Sequence, residues 1–319
     1  MDRMKAFARI SRENNDVKLV EVQIPSIEAN EVLIKVTAFG VGLHDRYFIP
    51  KNAELPYPIG FEGTGKIVKV GKNVSEFKAN DEVIFYNSHS KGGSWAQYAV
   101  TLPSSMILLP EKIDITTGAT LPVAGKTALE IIREINLNHI NSLFIAGASG
   151  AIGTFLIQLA TKQGIRVAAS ASIENHDHMK SLGCEYAVDY KDPNWKDNVN
   201  SWIDGGVDIA IAVQPNTTID CLDIVRDGGK IITLSGDEPI ENDRHISIVQ
   251  LRHKLDFQEA MHQLTQAIIN NQLKVVLDKV YSFDEALMAL EKAETRHARG
   301  KASYLCKYTW TLYKIGSVK

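Results

Sequence analysis

Cysteine is scarce in this chain. Cys184, Cys221 and Cys306 are the three it has in 319 residues, they lie far apart, and an odd count leaves one without a mate. Neither a disulfide framework nor a CxxC zinc knuckle is supported. A basic excess is missing as well: Lys plus Arg at 35 against Asp plus Glu at 38 leaves a formal charge of -3 with no basic block, so nucleic acid is not an expected partner. No apolar run approaches the ~20 residues that span a bilayer, and the opening MDRMKAFARI mixes charge before any leader core could form. A cytoplasmic protein without membrane attachment is expected. Internal repeats and low-complexity tracts are also missing.

What the chain does contain suits two globular domains. It is 45% hydrophobic and longer than the ~250–300 residues at which single cores split. The first third alternates in short runs such as VKLVEVQIP, EVLIKVTAFGVG, GTGKIVKVG and DEVIFY, each bounded by Gly, Pro, Asn or Asp, which predicts strands of an antiparallel sheet or barrel. After Leu109 the texture changes, with Asp114 or Thr116 as candidate helix caps and a helix expected over residues 124–135. From there strands and helices alternate: SLFIAGA, a helix over 154–163, RVAASAS, HDHMKSLG, YAVDY, VDIAIAV, KIITLSG and RHISIVQ. That order predicts a parallel sheet covered on both faces, with ligands at the carboxyl ends of its strands. The tail, from LDFQEAMHQL to the strand KASYLCKY, is expected to return to the β-rich part. Residues 1–117 with 251–319 would then form one domain and 118–250 the other.

The stretch NSLFIAGASGAIGTFLIQLATKQG carries the most chemistry. An apolar strand breaks into Gly147, Gly150 and Gly153 and resumes as a helix. Glycine turns of this kind serve packing in some proteins; at a strand-to-helix junction they also make an anion site, because the first helical N–H groups are unpaired. The motif reads AxGxxG at Ala148, Gly150 and Gly153, and the expected pyrophosphate contacts are Ala148, Ser149, Gly150, Ala151, Ile152 and Gly153. A site preferring NAD carries an acid about 20 residues on. Here the strand ends in Ser170, Ala171 and Ser172 with Asn175 beyond, so NADPH is favoured through hydrogen bonds from Ser170, Ser172 and Asn175, with NADH as the alternative. Arg166 stands at the wrong end of the strand to help, and Glu174 would oppose a phosphate. His176 and His178, two apart on a helix, read as solvated residues. Val213, Gln214, Leu234 and Ser235, at later strand ends, and Lys301, near the closing strand, are placed by position alone.

Several segments in order, GFEGTGKIVKVGKNVSEFKANDEV, GATLPVAGKTALE, AGASGAIGTFLIQLA, SLGCEYAVDYKD and DEALMALEKAETRHARGK, resemble the medium-chain dehydrogenase/reductase superfamily, in particular its zinc-free quinone oxidoreductase branch. The resemblance implies an α/β fold: a Rossmann-type doubly wound parallel sheet plus a mainly β, GroES-like catalytic domain built on a partly open barrel, with nicotinamide and substrate in the cleft between. It implies a homodimer acting on a small molecule. It points to Asp45 and Tyr47 as cleft residues, Tyr47 either donating a proton or packing there, to Thr127 as a nicotinamide contact, and to Lys180 and Tyr190 at the phosphate end. Zinc-dependent relatives carry a cysteine near Gly42 and a histidine just before Glu62; Gly42 and Phe61 occupy those places, and neither binds zinc. His44, Asp45, Glu62 and His89 show no ligand spacing, so no zinc is expected. Hydride transfer from NADPH to a quinone or α,β-unsaturated carbonyl is the expected chemistry. The alternatives are an alcohol dehydrogenase-like enzyme and a non-catalytic NADPH-binding sensor, structural protein or nucleic-acid binder. The terminal YTWTLYKIGSVK departs from the family pattern.

Overall fold

A computed structural model describes residues 2–87, 91–135, 140–234, 237, 240–295 and 299–305, the last four by backbone alone. His89, Ser235, Cys306 and the C-terminal stretch from Tyr308 lie outside the described residues.

In the N-terminal third the regular elements are strands and short 3-10 turns. β1 (Arg3–Arg9) pairs antiparallel along its whole length with β2 (Val17–Gln23). Then come β3 (Val32–Val41), β4 (Tyr57–Pro58), β5 (Glu62–Val70), β6 (Glu82–Tyr86), β7 (Tyr98–Thr101) and β8 (Met106–Leu108). β3 is buried at nearly every position, with β5, β7 and a later strand all pairing with it. Its inward Phe39 stacks on Trp95 at 4.9 Å in a core shared with Ile34, Ile67 and Phe85.

α1 (Ile115–Gly118) begins at Asp114, whose side chain accepts from the Thr117 amide, so the first of the two candidate caps is the one used. Ahead of α2 (Lys126–Glu134), residues Leu121–Gly125 form a π-helical turn, and the regular helix starts two residues later than the sequence pattern predicts. Two causes are visible. Pro122 has no N–H to give, and the Val123 amide donates instead to the buried Glu62 carboxylate at 2.7 Å.

The second half holds β9 (Ser142–Ala146), α3 (Ala151–Thr161), β10 (Arg166–Ala171), α4 (His176–Ser181), β11 (Tyr186–Asp189), α5 (Trp195–Trp202), β12 (Val207–Ala212), α6 (Thr218–Leu222), β13 (Val225–Thr233) and β14 (Ser247–Gln250). The six strands form one parallel sheet in the order β11-β10-β9-β12-β13-β14, which is the doubly wound arrangement with its reversal beside β9. Every residue of β9 is buried. Leu143 and Ile145 face one core with Phe155, Leu156 and Ile157 of α3, while Phe144 and Ala146 face another with Trp195, Val199 and Cys221. The period-2 alternation of the strand thus feeds two apolar layers, as a sheet covered on both faces requires.

α7 (Phe257–Ile269), capped by Asp256, packs on α2. β15 (Leu277–Tyr281), α8 (Ala286–Glu294) and β16 (Lys301–Leu305) close the chain. β16 lies antiparallel on β3, Ser303 opposite Gly40, and parallel to β15, so the last strands join the N-terminal seven-stranded sheet. No helix among the described residues is long and apolar enough to cross a membrane.

Candidate active site

Three glycines shape the turn from β9 to α3, each for a different reason. Gly147 has φ +80, and a Cβ there would meet Gln214 Cγ at 2.4 Å. Gly153 has an ordinary helical backbone, but its Cβ would meet the Ala148 backbone at 2.4 Å, so this glycine lets α3 sit directly on the turn. Gly150 is the exception. Its φ of -77 and ψ of -179 suit any residue, and a Cβ would find only the Gly147 carbonyl, at 3.7 Å. The missing side chain serves neither backbone nor packing; it keeps space open at a helix start. Gly150 is the N-cap of α3 with no side-chain cap, and Thr154 is the first residue bonded back to it, at 3.0 Å. The amides of Ala151, Ile152 and Gly153 therefore precede the helical ladder. Ala148 is fully buried, whereas Ser149, Ala151 and Ile152 are half-buried.

Beside this turn the carboxyl ends of the strands gather. Val213 and Gln214 follow β12, and the Leu234 amide donates to Ala212. At the end of β10, Ser170 is buried, its carbonyl accepting from the amides of Gly147 and Ala148, so it braces the turn. Ser172 and Asn175 are buried and bonded to each other at 3.1 Å. A residue the sequence pattern did not signal arrives here. Arg299 donates from Nε to Asn175 Oδ1 and from Nη2 to the Glu174 carbonyl, both at 2.6 Å. Arg166 is bidentate to Glu185, as its place at the far strand end requires. His178 is half-buried rather than solvated, because α4 turns its ring inward. Tyr190 is half-exposed, with Lys191 over its ring at 5.7 Å, and Lys180 is exposed.

Where β16 meets β3, three charged side chains are buried together. Lys301 Nζ lies 2.6 Å from Glu62 Oε1. Glu62 Oε2 takes the Val123 amide. Asp45, on a 3-10 turn over Leu43–Arg46, accepts the Gly42 amide at 2.7 Å. Burial pushes the Asp45 carboxyl up to about 7; Lys301 and the Gly42 amide pull it down without prevailing, and Glu62 adds to the rise. Two carboxylates share one ammonium, and the one without the close ion pair keeps its proton. A Cβ on Gly42 would sit 3.5 Å from Lys301 Nζ. A fixed cation thus stands where zinc-dependent dehydrogenases bring a ligand, and among the described residues no group of three or more His, Cys, Asp or Glu is placed to hold a metal. The residues present do not fit a zinc site.

Aromatic rings run inward from the surface beside this cluster: Phe48 to Phe61 at 5.6 Å, Phe61 to Tyr86 at 6.3 Å, Tyr86 to Phe257 at 6.4 Å. Burial first, then the charges of Glu62 and Asp45, raises the Tyr86 phenol, which puts that ring next to the acids. Tyr86 carried no signal of its own in the sequence, since an aromatic in a strand reads as core, and Phe61 stood out only as the residue in the place of a zinc ligand. Tyr47 is half-exposed, and its hydroxyl donates to Glu294 of α8 at 3.4 Å, a carboxylate that also holds Arg46. Thr127 is buried in the first turn of α2. The structure therefore brings Asp45, Glu62 and Lys301 together and turns the Tyr47 hydroxyl toward α8. The two thiols among the described residues are buried and held neutral: burial pushes Cys184 up to about 12 and raises Cys221 as well.

Comparison with known proteins gives a consistent grouping. Residues 28–111 match the alcohol dehydrogenase GroES-like domain, and residues 182–302 match the zinc-binding dehydrogenase family. The chain is 29% identical over 298 residues to quinone oxidoreductase of Sus scrofa, covering 88% of this chain and 89% of the relative. It is 28% identical over 316 residues to a chloroplastic NADPH-dependent alkenal/one oxidoreductase of Arabidopsis thaliana, covering 93% and 78%. The solved quinone oxidoreductase of Coxiella burnetii superposes with a TM-score of 0.85 at 25% identity over 96% of this chain and 100% of that one.

Proposed function

The chain belongs to the medium-chain dehydrogenase/reductase superfamily, in its quinone oxidoreductase branch, and on that premise we propose that it is an NADPH-dependent, zinc-independent reductase of quinones or α,β-unsaturated carbonyls. The observation that carries the cofactor is Gly150, a glycine that backbone and packing do not need and whose bare face looks onto free helix amides. When bound, NADPH supplies the hydride. The amides of Ala151, Ile152 and Gly153 would hold the pyrophosphate, Ser172 and Asn175 the adenosine end, Thr127 and the strand-end residues Val213 and Leu234 the nicotinamide side.

The acceptor would lie along Phe48, Phe61 and Tyr86, where ring faces favour a flat conjugated molecule. Reduction of an enone adds a hydride at the β-carbon and leaves an enolate that takes one proton. Asp45 holds such a proton up to about pH 7. We assign the proton to Asp45 rather than Tyr47, whose hydroxyl faces Glu294. Lys301 forms its close ion pair with Glu62, at 2.6 Å, and not with Asp45, whose burial outweighs the pull of that ammonium. We take the working form to be the homodimer that the family resemblance implies.

Purified protein should oxidise NADPH with a quinone or enone after exhaustive chelation, and Gly150→Asp, which places a carboxylate in the open space, should abolish cofactor binding while leaving the fold intact. Turnover that appears only on adding zinc would refute the proposal. Tight NADPH binding with no turnover on a broad acceptor panel would favour the sensor reading.

A further inference from the structure

Ser172 and Asn175 are neutral, yet an adenosine 2′-phosphate is an anion and is best matched by a cation with several donors. The structure brings one from the opposite sheet. Arg299 stands two residues before Lys301, where the chain enters β16, and it is separated from Asn175 by 124 positions. Gly300 donates to the Ser149 carbonyl at 2.9 Å and has φ +71, with a Cβ there colliding with the Val276 carbonyl at 2.3 Å. The chain is therefore pinned against the glycine turn, and the preceding side chain is directed to the end of β10. Once there, its Nε and Nη2 are fixed on two uncharged oxygens, Asn175 Oδ1 and the Glu174 carbonyl. Arg299 forms no ion pair among the described residues and is exposed, so the remainder of its fork faces solvent. Its approach also offsets Glu174, the acid that would oppose a phosphate.

A second group at the same place lacks a partner. His178 Nε2 is buried and has no hydrogen-bond partner among the described residues. Burial, then the charges of Arg299 and of Lys274, keeps this imidazole below its usual range. Lys274 is tied by both backbone groups to Gln158 of α3. One cation at the end of β10, a second charge held on α3 and a nitrogen in want of a partner thus act on one another. A buried ring nitrogen without a partner is costly unless a hydrogen-bonding group enters.

We propose that Arg299 is the residue by which this protein selects NADPH over NADH, its guanidinium receiving the adenosine 2′-phosphate beside Ser172, Asn175 and His178. This rests on the cofactor proposal above. A selecting charge is then contributed from outside the nucleotide-binding sheet, by the segment that leads into β16 of the β-rich sheet.

The test is equilibrium binding of NADPH, NADH, 2′,5′-ADP and 5′-AMP to the full chain, wild type against Arg299→Gln, Arg299→Lys and His178→Leu. Losing a charge-assisted pair should weaken NADPH and 2′,5′-ADP roughly 10- to 100-fold in Arg299→Gln, leave NADH and 5′-AMP unchanged, and be partly restored in Arg299→Lys. His178→Leu should show a smaller loss confined to the same two ligands. Equal weakening of NADPH and NADH, or no change in either, would overturn the assignment. Wild-type protein that binds NADH but neither NADPH nor 2′,5′-ADP would instead overturn the cofactor proposal, and this one with it.

Discussion

Single residues carry the most discriminating expectations. Gly150 and Gly153 belong to one motif yet have opposite reasons to be glycine, so the same substitution should act in opposite ways. Gly150→Ala should stay within about 1 kcal/mol of wild-type stability, because a Cβ fits the backbone and costs only a weaker helix cap, while NADPH affinity falls on the order of tenfold or more. Gly153→Ala should cost about 1–3 kcal/mol from the collision with the Ala148 backbone. Urea denaturation and a cofactor titration on the two variants separate the roles; matched losses in both measurements would contradict them. Asp45 makes a second prediction at this scale. In the folded state it keeps its proton up to about pH 7, whereas in the unfolded chain it ionises near pH ~4. The folded state binds the extra proton between those values, so this residue lowers stability as pH rises across that window and contributes nothing below it. Asp45→Asn should therefore gain stability relative to wild type from about pH 4 to 7 and then level off. Denaturation curves that stay parallel across that range would refute the assignment.

At the scale of elements, β16 is the piece on which the site depends. It lies between β15 and β3 in the β-rich sheet, yet its first residue pairs with Glu62 of β5, and the residue before it bridges to Gly150. Glu62 in turn fixes the π-helical turn ahead of α2 through Val123. β16, β5 and the π-helical turn are thus linked through one ammonium that is itself almost fully buried. Lys301→Met should cost about 3–5 kcal/mol, since it strands a buried carboxylate. The double variant Glu62→Gln with Lys301→Met should recover most of that loss, because it removes the orphaned charge with its partner. A thermal melt series on the single and double variants decides this; strictly additive losses would mean that the pair is not coupled. The same element shows where sequence reasoning runs out. A strand ending in ARGKAS reads as an ordinary closing strand, and nothing in its spacing says that Lys301 is an ion-pair partner for residue 62 or that Arg299 reaches residue 175.

Over the whole molecule, the legible parts were those set by local periodicity. The alternating runs before Leu109 became the β-rich sheets, the βα alternation became the six parallel strands, and the glycine turn stood between the expected strand and helix. Helix starts were less legible where a tertiary contact decided them, as with Val123 and Glu62. Pairings between distant charges, the inward row of Phe48, Phe61 and Tyr86, and the inward face of His178 were not legible at all. Each depends on which elements the fold sets side by side, and a residue's own neighbours in the chain say nothing of that. Among the described residues the molecule carries open helix amides at α3, a proton-holding acid at Asp45 with an aromatic row beside it, and no group of three or more His, Cys, Asp or Glu placed to hold a metal. The most direct measurement is transfer from NADPH deuterated at the reactive C4 position to an α,β-unsaturated ketone, with protein stripped of metal. The account predicts deuterium at the β-carbon of the product, formed as fast by the stripped protein as by the untreated protein with the same deuterated cofactor. Product without deuterium, or turnover only after zinc is restored, would contradict it.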